Sequence, residues 1–139
     1  MLKNFLFVCA SILFATSPLT MTGLTPQEAA PVPAPVQVAA NVTNPVKPTA
    51  ESQAKAKRLY GQDCAMCHGD NGNGKTEIVS DMKLSVPDWS NAKTSAAKSD
   101  ADMFNAIRNG KDKMPPEAEG RAKDDDVWNL VIYLRSFSK

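Results

Sequence analysis

The chain carries almost no excess charge: 16 Lys and Arg stand against 15 Asp and Glu in 139 residues. Nucleic acid and polybasic membrane docking both need a clear positive surplus, so neither is expected as the main partner. Removing the first fifty residues takes away Lys3, Lys47 and Glu28 and leaves the remainder neutral. The sequence also lacks an apolar run of the roughly 20 residues that a spanning helix requires. No alternating strand pattern and no internal repeat is found. There is a single histidine, and there are three cysteines, two of which stand three apart with no second pair elsewhere. The length and a hydrophobic content of 42% fit one ordinary domain and exclude a multidomain machine.

Composition divides the chain into three parts. Residues 1–24 read as an export signal: Lys3 supplies the positive start, and Phe5 to Ala15 form an apolar stretch of the right length. Neither Ala15-Thr16-Ser17, with Pro18 following, nor Val38-Ala39-Ala40 makes a clean processing site, so the alternative is an uncleaved anchor, and only in that case is a membrane a partner. Cys9 lies inside the apolar stretch and reads as filler. Residues 25–48 hold six prolines and few charges, which describes a semi-extended disordered tether. Residues 49–139 are the folding unit. A domain of about ninety residues buries only roughly 60–65% of its chain surface and benefits from an extra staple.

Within this unit the period is helical. Thr49 is placed to cap a helix with an apolar face of Ala56, Leu59, Tyr60 and Cys64. Gly69-Asp70-Asn71-Gly72-Asn73-Gly74 is turn chemistry, and residues 75–98 are the least regular part. Ser99 with Asp102 forms a capping-box pattern ahead of Met103, Phe104, Ala106 and Ile107, and Gly110 closes that helix. After a loop holding Met114-Pro115-Pro116, the run Asp124-Asp125-Asp126 opens a last helix striped by Val127, Leu130, Val131 and Leu134. Acids suit the positive end of the helix dipole, so this run reads as a helix start in preference to a metal site.

The chemistry is concentrated at Cys64-Ala65-Met66-Cys67-His68. Two cysteines about one helical turn apart, followed at once by histidine, are the attachment signature of c-type haem. The two sulfurs reach the vinyl groups on one edge of the porphyrin as thioethers, and His68 is carried beneath the ring to bind iron. A zinc site would need about four ligands, and two thiols and one imidazole fall short. A thiol-disulfide centre sits at the start of a helix after a strand, whereas this pair comes at a helix end. A structural disulfide leaves the glycine-rich turn and the Met114 loop without a purpose.

From about Ala50 to Lys139 the chain resembles the class I c-type cytochromes. The resemblance rests on Cys64-x-x-Cys67-His68-Gly69, on Asn109-Gly110 ahead of Met114-Pro115, and on Leu130-x-x-Tyr133-Leu134. It implies an all-α domain of three main helices around one covalently bound haem c, with the first and last helices crossing at Ala56 and Tyr60. It also implies Met114 as the axial ligand opposite His68. A methionine in a hydrophilic loop, stiffened by Pro115 and Pro116, supports this independently. Met103 on an apolar helix face and Met82 in the irregular stretch are the weaker competitors, whereas Met66, between the cysteines, cannot turn back onto the iron. His68 is expected to donate its other ring nitrogen to a carbonyl, with Pro87 the best candidate. Trp89 is a candidate for packing on the haem edge, and Lys75, Lys111 and Lys113 for ringing it. The implied function is one-electron transfer, without enzymatic activity, between redox proteins that dock transiently in the periplasm or another extracytoplasmic space. The alternatives are the haem subunit of a larger dehydrogenase or oxidase, and an open-site sensor or peroxidase should Met114 not be a ligand.

Overall fold

A computed structural model describes Pro35 and residues 37–139. The expected export signal over residues 1–24, Cys9 included, and most of the first half of the tether lie outside the described residues.

The first helix, α1 (Ala50–Leu59), starts where the capping residues place it. The Thr49 hydroxyl accepts the Ser52 N–H at 3.1 Å, and the Ser52 hydroxyl accepts the Thr49 N–H at 2.9 Å. Its last turn widens into a π-helical turn over Tyr60–Cys64, which continues into the short α2 (Ala65–His68). Such wide turns recur at functional sites because the inserted residue re-aims the side chains beyond it. Here it lies directly ahead of the Cys-x-x-Cys-His segment.

Residues 75–98, expected to be irregular, contain two short helices, α3 (Glu77–Asp81) and α4 (Ala92–Ala96). Each is made by its cap and not by an apolar period: Thr76 accepts the Val79 N–H at 3.4 Å, and Asn91 accepts the Lys93 N–H at 2.9 Å. Elements of five residues are too short to show periodicity, which is why the pattern missed them. Helix α5 (Asp100–Asn109) has the Ser99–Asp102 capping box and stops at Gly110. Helix α6 (Asp124–Ser136) opens on the three aspartates, which have separate tasks. Asp124 pairs with Arg108 at 2.8 Å, Asp126 pairs with Lys55 at 2.7 Å, and the Asp125 carbonyl accepts from Asn129 at 2.8 Å.

Helices α1 and α6 make the most extensive packing in the domain. Ala56 and Tyr60 are both buried, as the helix-crossing reading required. The Tyr60 ring meets Tyr133 and Phe137 with centroids 5.4 and 5.1 Å away. Asn129, buried in the seam, accepts from Ser52 at 2.8 Å and Gln53 at 2.9 Å. Met103, Phe104 and Ile107 of α5 complete the core, and Phe104 stacks on Trp128 at 4.3 Å. The described residues contain helices and one isolated antiparallel bridge but no strand, so the domain is all-α. Among them no helix is long and apolar enough to cross a membrane.

The expected free tether is corrected over its second half. The Val38 N–H donates to the Asn105 side chain at 2.8 Å, and Asn105 returns a bond to the Val38 carbonyl at 2.7 Å. Asn44 donates to the Trp128 carbonyl at 2.9 Å, and Val38 and Val46 pack on the core. The stretch makes one backbone turn of its own, the Val42 N–H to the Ala39 carbonyl at 3.0 Å, and Asn105 of α5, the Trp128 carbonyl of α6 and the apolar core hold the rest.

Candidate functional site

The attachment segment is fixed from three sides. The Tyr60 hydroxyl donates to the Gly69 carbonyl at 2.6 Å across the segment. Burial first, then the nearby Cys64 and acidic groups, hold this phenol well above its usual range, so it stays a donor. The His68 carbonyl accepts the Gly74 N–H at 2.8 Å, which closes the glycine-rich turn. Gly72 has φ +74°, and a Cβ there would fall 2.6 Å from the Phe137 ring of α6's C-terminal end. The Gly72 carbonyl accepts the Trp89 N–H at 2.7 Å, so the turn is tied to the core on both faces.

Cys64 and Cys67 are half-buried and form no disulfide. Burial pushes the Cys64 thiol up to about 12, with the Asp63 and Glu117 charges adding to it. Thiol-disulfide catalysis requires the opposite displacement, toward thiolate. His68 is half-buried, and burial lowers its pKa, which favours the neutral imidazole that can bind a metal. Its Nδ1 is buried and has no hydrogen-bond partner. The anticipated bond to Pro87 is therefore not made. The Pro87 carbonyl instead lies over Gly74, 3.3 Å from where a Cβ would stand, because the missing side chain lets the backbone approach there.

The methionine loop is built backwards from α5. Lys111 and Met114 exchange two backbone hydrogen bonds, of 3.0 and 2.8 Å. The Glu117 N–H then returns to the Ile107 carbonyl at 2.8 Å. Arg108, buried on α5, donates to the Glu117 carbonyl at 2.8 Å and to the Ala122 carbonyl at 3.0 Å. Among the described methionines, Met103 is in the core, while Met66 and Met82 are 67% and 56% exposed. Met114 is half-buried, between exposed neighbours, and packs against the same core cluster as Cys64 and Ala65. Trp89 belongs to that core. Lys75, Lys111 and Lys113 are exposed.

Three residues at this site escaped the sequence reading. Asp63, just before Cys64, and Glu117, three residues after Met114, both reach Arg121. The i, i+4 spacing of Glu117 and Arg121 was the one local signal; the Asp63 partnership is purely tertiary.

The donor set fits an iron porphyrin. Two unpaired thiols, one half-buried imidazole favoured in its neutral form, and one half-buried thioether are the groups such a cofactor uses.

Comparison with known proteins agrees. A family model, cytochrome c oxidase, cbb3-type, subunit III, matches residues 51–134. Over 86 residues the chain is 28% identical to the thiosulfate dehydrogenase of Stutzerimonas stutzeri (strain A1501), covering 62% of this chain and 27% of that protein. It is 26% identical over 87 residues to the cbb3-type cytochrome c oxidase subunit CcoP of Azospirillum brasilense, covering 63% of this chain and 29% of that one. The chain thus spans little more than a quarter of the length of these curated relatives. The solved KustC0563 c-type cytochrome is 27% identical with a TM-score of 0.51, covering 60% of this chain and 98% of that one. With the family match running over more than half its length, the chain belongs to the cytochrome c oxidase, cbb3-type, subunit III family of cytochrome c domains, whose cofactor is haem c.

Proposed function

We propose that the domain passes single electrons between redox proteins through one covalently held haem c, with His68 and Met114 as the residues that would ligate its iron. The observation that carries this reading is the convergence of the attachment segment and the methionine loop. Cys64 and Met114 pack on one core cluster, and the half-buried His68 imidazole beside Cys67 is favoured in its neutral form. Cys64 and Cys67 would hold the group by thioethers, and His68 and Met114 would ligate its iron. When bound, haem would supply a one-electron iron couple, and a thioether together with an imidazole as ligands would favour the ferrous form and raise its potential relative to two nitrogen ligands. Cys64, Ala65 and Met114 pack against the core formed by α1, α5 and α6. With His68 and Met114 both serving as ligands the iron would have no open position for a substrate, and the domain would act as a carrier and not as an enzyme. It operates in the periplasm or another extracytoplasmic space.

A second reading is favoured by the relatives. The matched proteins are named as a thiosulfate dehydrogenase and as cbb3 oxidase subunits, each several times longer than the matched region. The same domain then serves as the haem part of a larger dehydrogenase or oxidase, with a fixed partner in place of transient ones. Co-purification distinguishes the two.

The test is spectroscopic. Purified protein expressed with haem maturation factors is expected to be low-spin and to show the weak sulfur-to-iron band when oxidised. Met114→Ala should remove that band and allow carbon monoxide to bind the reduced form. Colour that extracts freely into acidified organic solvent would rule out covalent attachment; a band that survives the substitution would rule out Met114.

A further inference from the structure

The Asp63, Arg121 and Glu117 side chains join the two halves of the proposed haem site. Asp63 belongs to the π-helical turn and immediately precedes Cys64. Glu117 belongs to the methionine loop, where its N–H is bonded to Ile107 and its carbonyl to Arg108. Arg121 lies over the seam, with Nη2 on the Asp63 carboxylate and Nε 3.4 Å from Glu117 Oε1. The two carboxylates are only 17% and 12% exposed, while Arg121 is 59% exposed. One oxygen of each acid, Asp63 Oδ2 and Glu117 Oε1, is buried without a hydrogen bond.

An exposed ion pair at a protein surface has little effect by itself. This one differs because of what lies beneath it. Two like charges are held together under cover, one on the attachment segment and one on the methionine loop, and the Arg121 guanidinium is the cation that spans them. Removing it leaves two carboxylates opposed across the seam, and their repulsion drives the loop away from the attachment segment. Burial raises the Glu117 pKa most and the nearby Asp63 charge adds to it, while the Arg121 and Arg108 guanidiniums oppose the rise.

We propose that Arg121 is a positioning residue, a latch that bridges Asp63 to Glu117 and so holds the Met114 loop in place for iron ligation. This rests on the His68 and Met114 reading above. Arg121 does not touch the reacting atoms; it sets how often the methionine side of the site opens.

Opening can be read in the intact holoprotein by titrating the oxidised form with imidazole. Imidazole binds only when Met114 has left, so its apparent affinity scales with the open fraction. Arg121→Gln is expected to tighten imidazole binding by about tenfold and to speed amide exchange at Met114 and Glu117, both of whose N–H groups are bonded in the closed loop. Arg121→Lys, which keeps the charge, should restore most of the wild-type behaviour. In an Asp63→Asn background the Arg121→Gln effect should shrink several-fold, because the opposed pair is gone. Unchanged imidazole affinity in Arg121→Gln, or an equal effect with and without Asp63, would overturn the latch while leaving Met114 ligation intact. Wild-type protein without the sulfur-to-iron band would overturn the latch together with the ligation it depends on. A fall in thermal stability of Arg121→Gln with no change in imidazole affinity would assign Arg121 a structural role only and also defeat the proposal.

Discussion

A side chain on Gly110 would place its Cβ 2.6 Å from the carbonyl oxygen of Met114. The glycine has φ +75°, and the same Cβ would stand 2.9 Å from the Pro116 nitrogen. The end of α5 and the backbone of the methionine loop therefore share a space that only glycine leaves open.

Gly110→Ala is thus expected to act on ligation as well as on stability. A non-glycine residue in the left-handed region costs about 1–2 kcal/mol, and the clash with backbone atoms adds to it because neither partner is a flexible chain end. The substituted protein should lose most of the sulfur-to-iron band at room temperature while keeping its haem attached. Absorption spectra before and after denaturing extraction check both halves of that expectation. Retention of a full-strength band would show that the loop can shift without releasing the methionine.

Arg108 is a stronger determinant of the same loop. Its side chain is nearly inaccessible, and it satisfies the Glu117 and Ala122 carbonyls as well as Asp124. Arg108→Met keeps an unbranched apolar side chain at this buried position and removes the donors, together with the guanidinium that lies 6.0 Å from the Phe104 ring centre. Leaving buried acceptors unsatisfied costs about 1–3 kcal/mol each, so a loss of roughly 2–4 kcal/mol is expected in denaturant unfolding. Asp124 lies more than half exposed and can be rehydrated, which keeps the loss at the lower end of the range for broken buried pairs. A change below about 0.5 kcal/mol would mean that water replaces the guanidinium.

Tyr60 has two separable tasks. Tyr60→Phe keeps the ring contacts with Tyr133 and Phe137 and removes the 2.6 Å bond to the Gly69 carbonyl, for an expected loss of about 1–2 kcal/mol. Tyr60→Ala removes the ring as well and should cost about 3–5 kcal/mol, as for other buried aromatics. Equal losses in the two variants would place the whole effect in the hydrogen bond.

The α5 cap sets an acid-side dependence. Hydrogen bonds from Ser99, its side chain first and then its backbone N–H, hold the Asp102 carboxyl below its ordinary value of 3.8. With a folded-state pKa beneath the unfolded one, the stabilisation is present above 3.8 and is lost as the pH falls through the depressed value. Asp102→Asn should therefore be less stable than wild type near neutrality, and the two unfolding curves should converge in strong acid. A difference that stays constant on acidification would show that the asparagine caps equally well.

Much of this domain was legible in one dimension because its signals are local. The Thr49, Ser99 and Asp124 helix starts, the Gly110 stop and the stripe from Val127 to Leu134 each depend on residues within two turns of one another. Capping and amphipathic period act over that distance. Cys64, Cys67 and His68 could be proposed as a haem-attachment motif for the same reason: such chemistry requires contiguity. The short helices α3 and α4 were not, since five residues leave no room for a period and their caps alone make them.

What the amino-acid order determined by itself was the helix grammar, the attachment motif and the choice of Met114 as a ligand candidate. Tertiary structure alone decided the rest. It docked the proline-rich stretch on Asn105, left His68 Nδ1 without the Pro87 carbonyl, and brought Asp63 across 58 residues of sequence to Arg121. The reason is physical: hydrogen bonds and charge pairs between distant segments depend on where α1 and α6 cross and how closely Gly72, Gly74 and Gly110 let backbones approach. Those distances exist only once the core has formed.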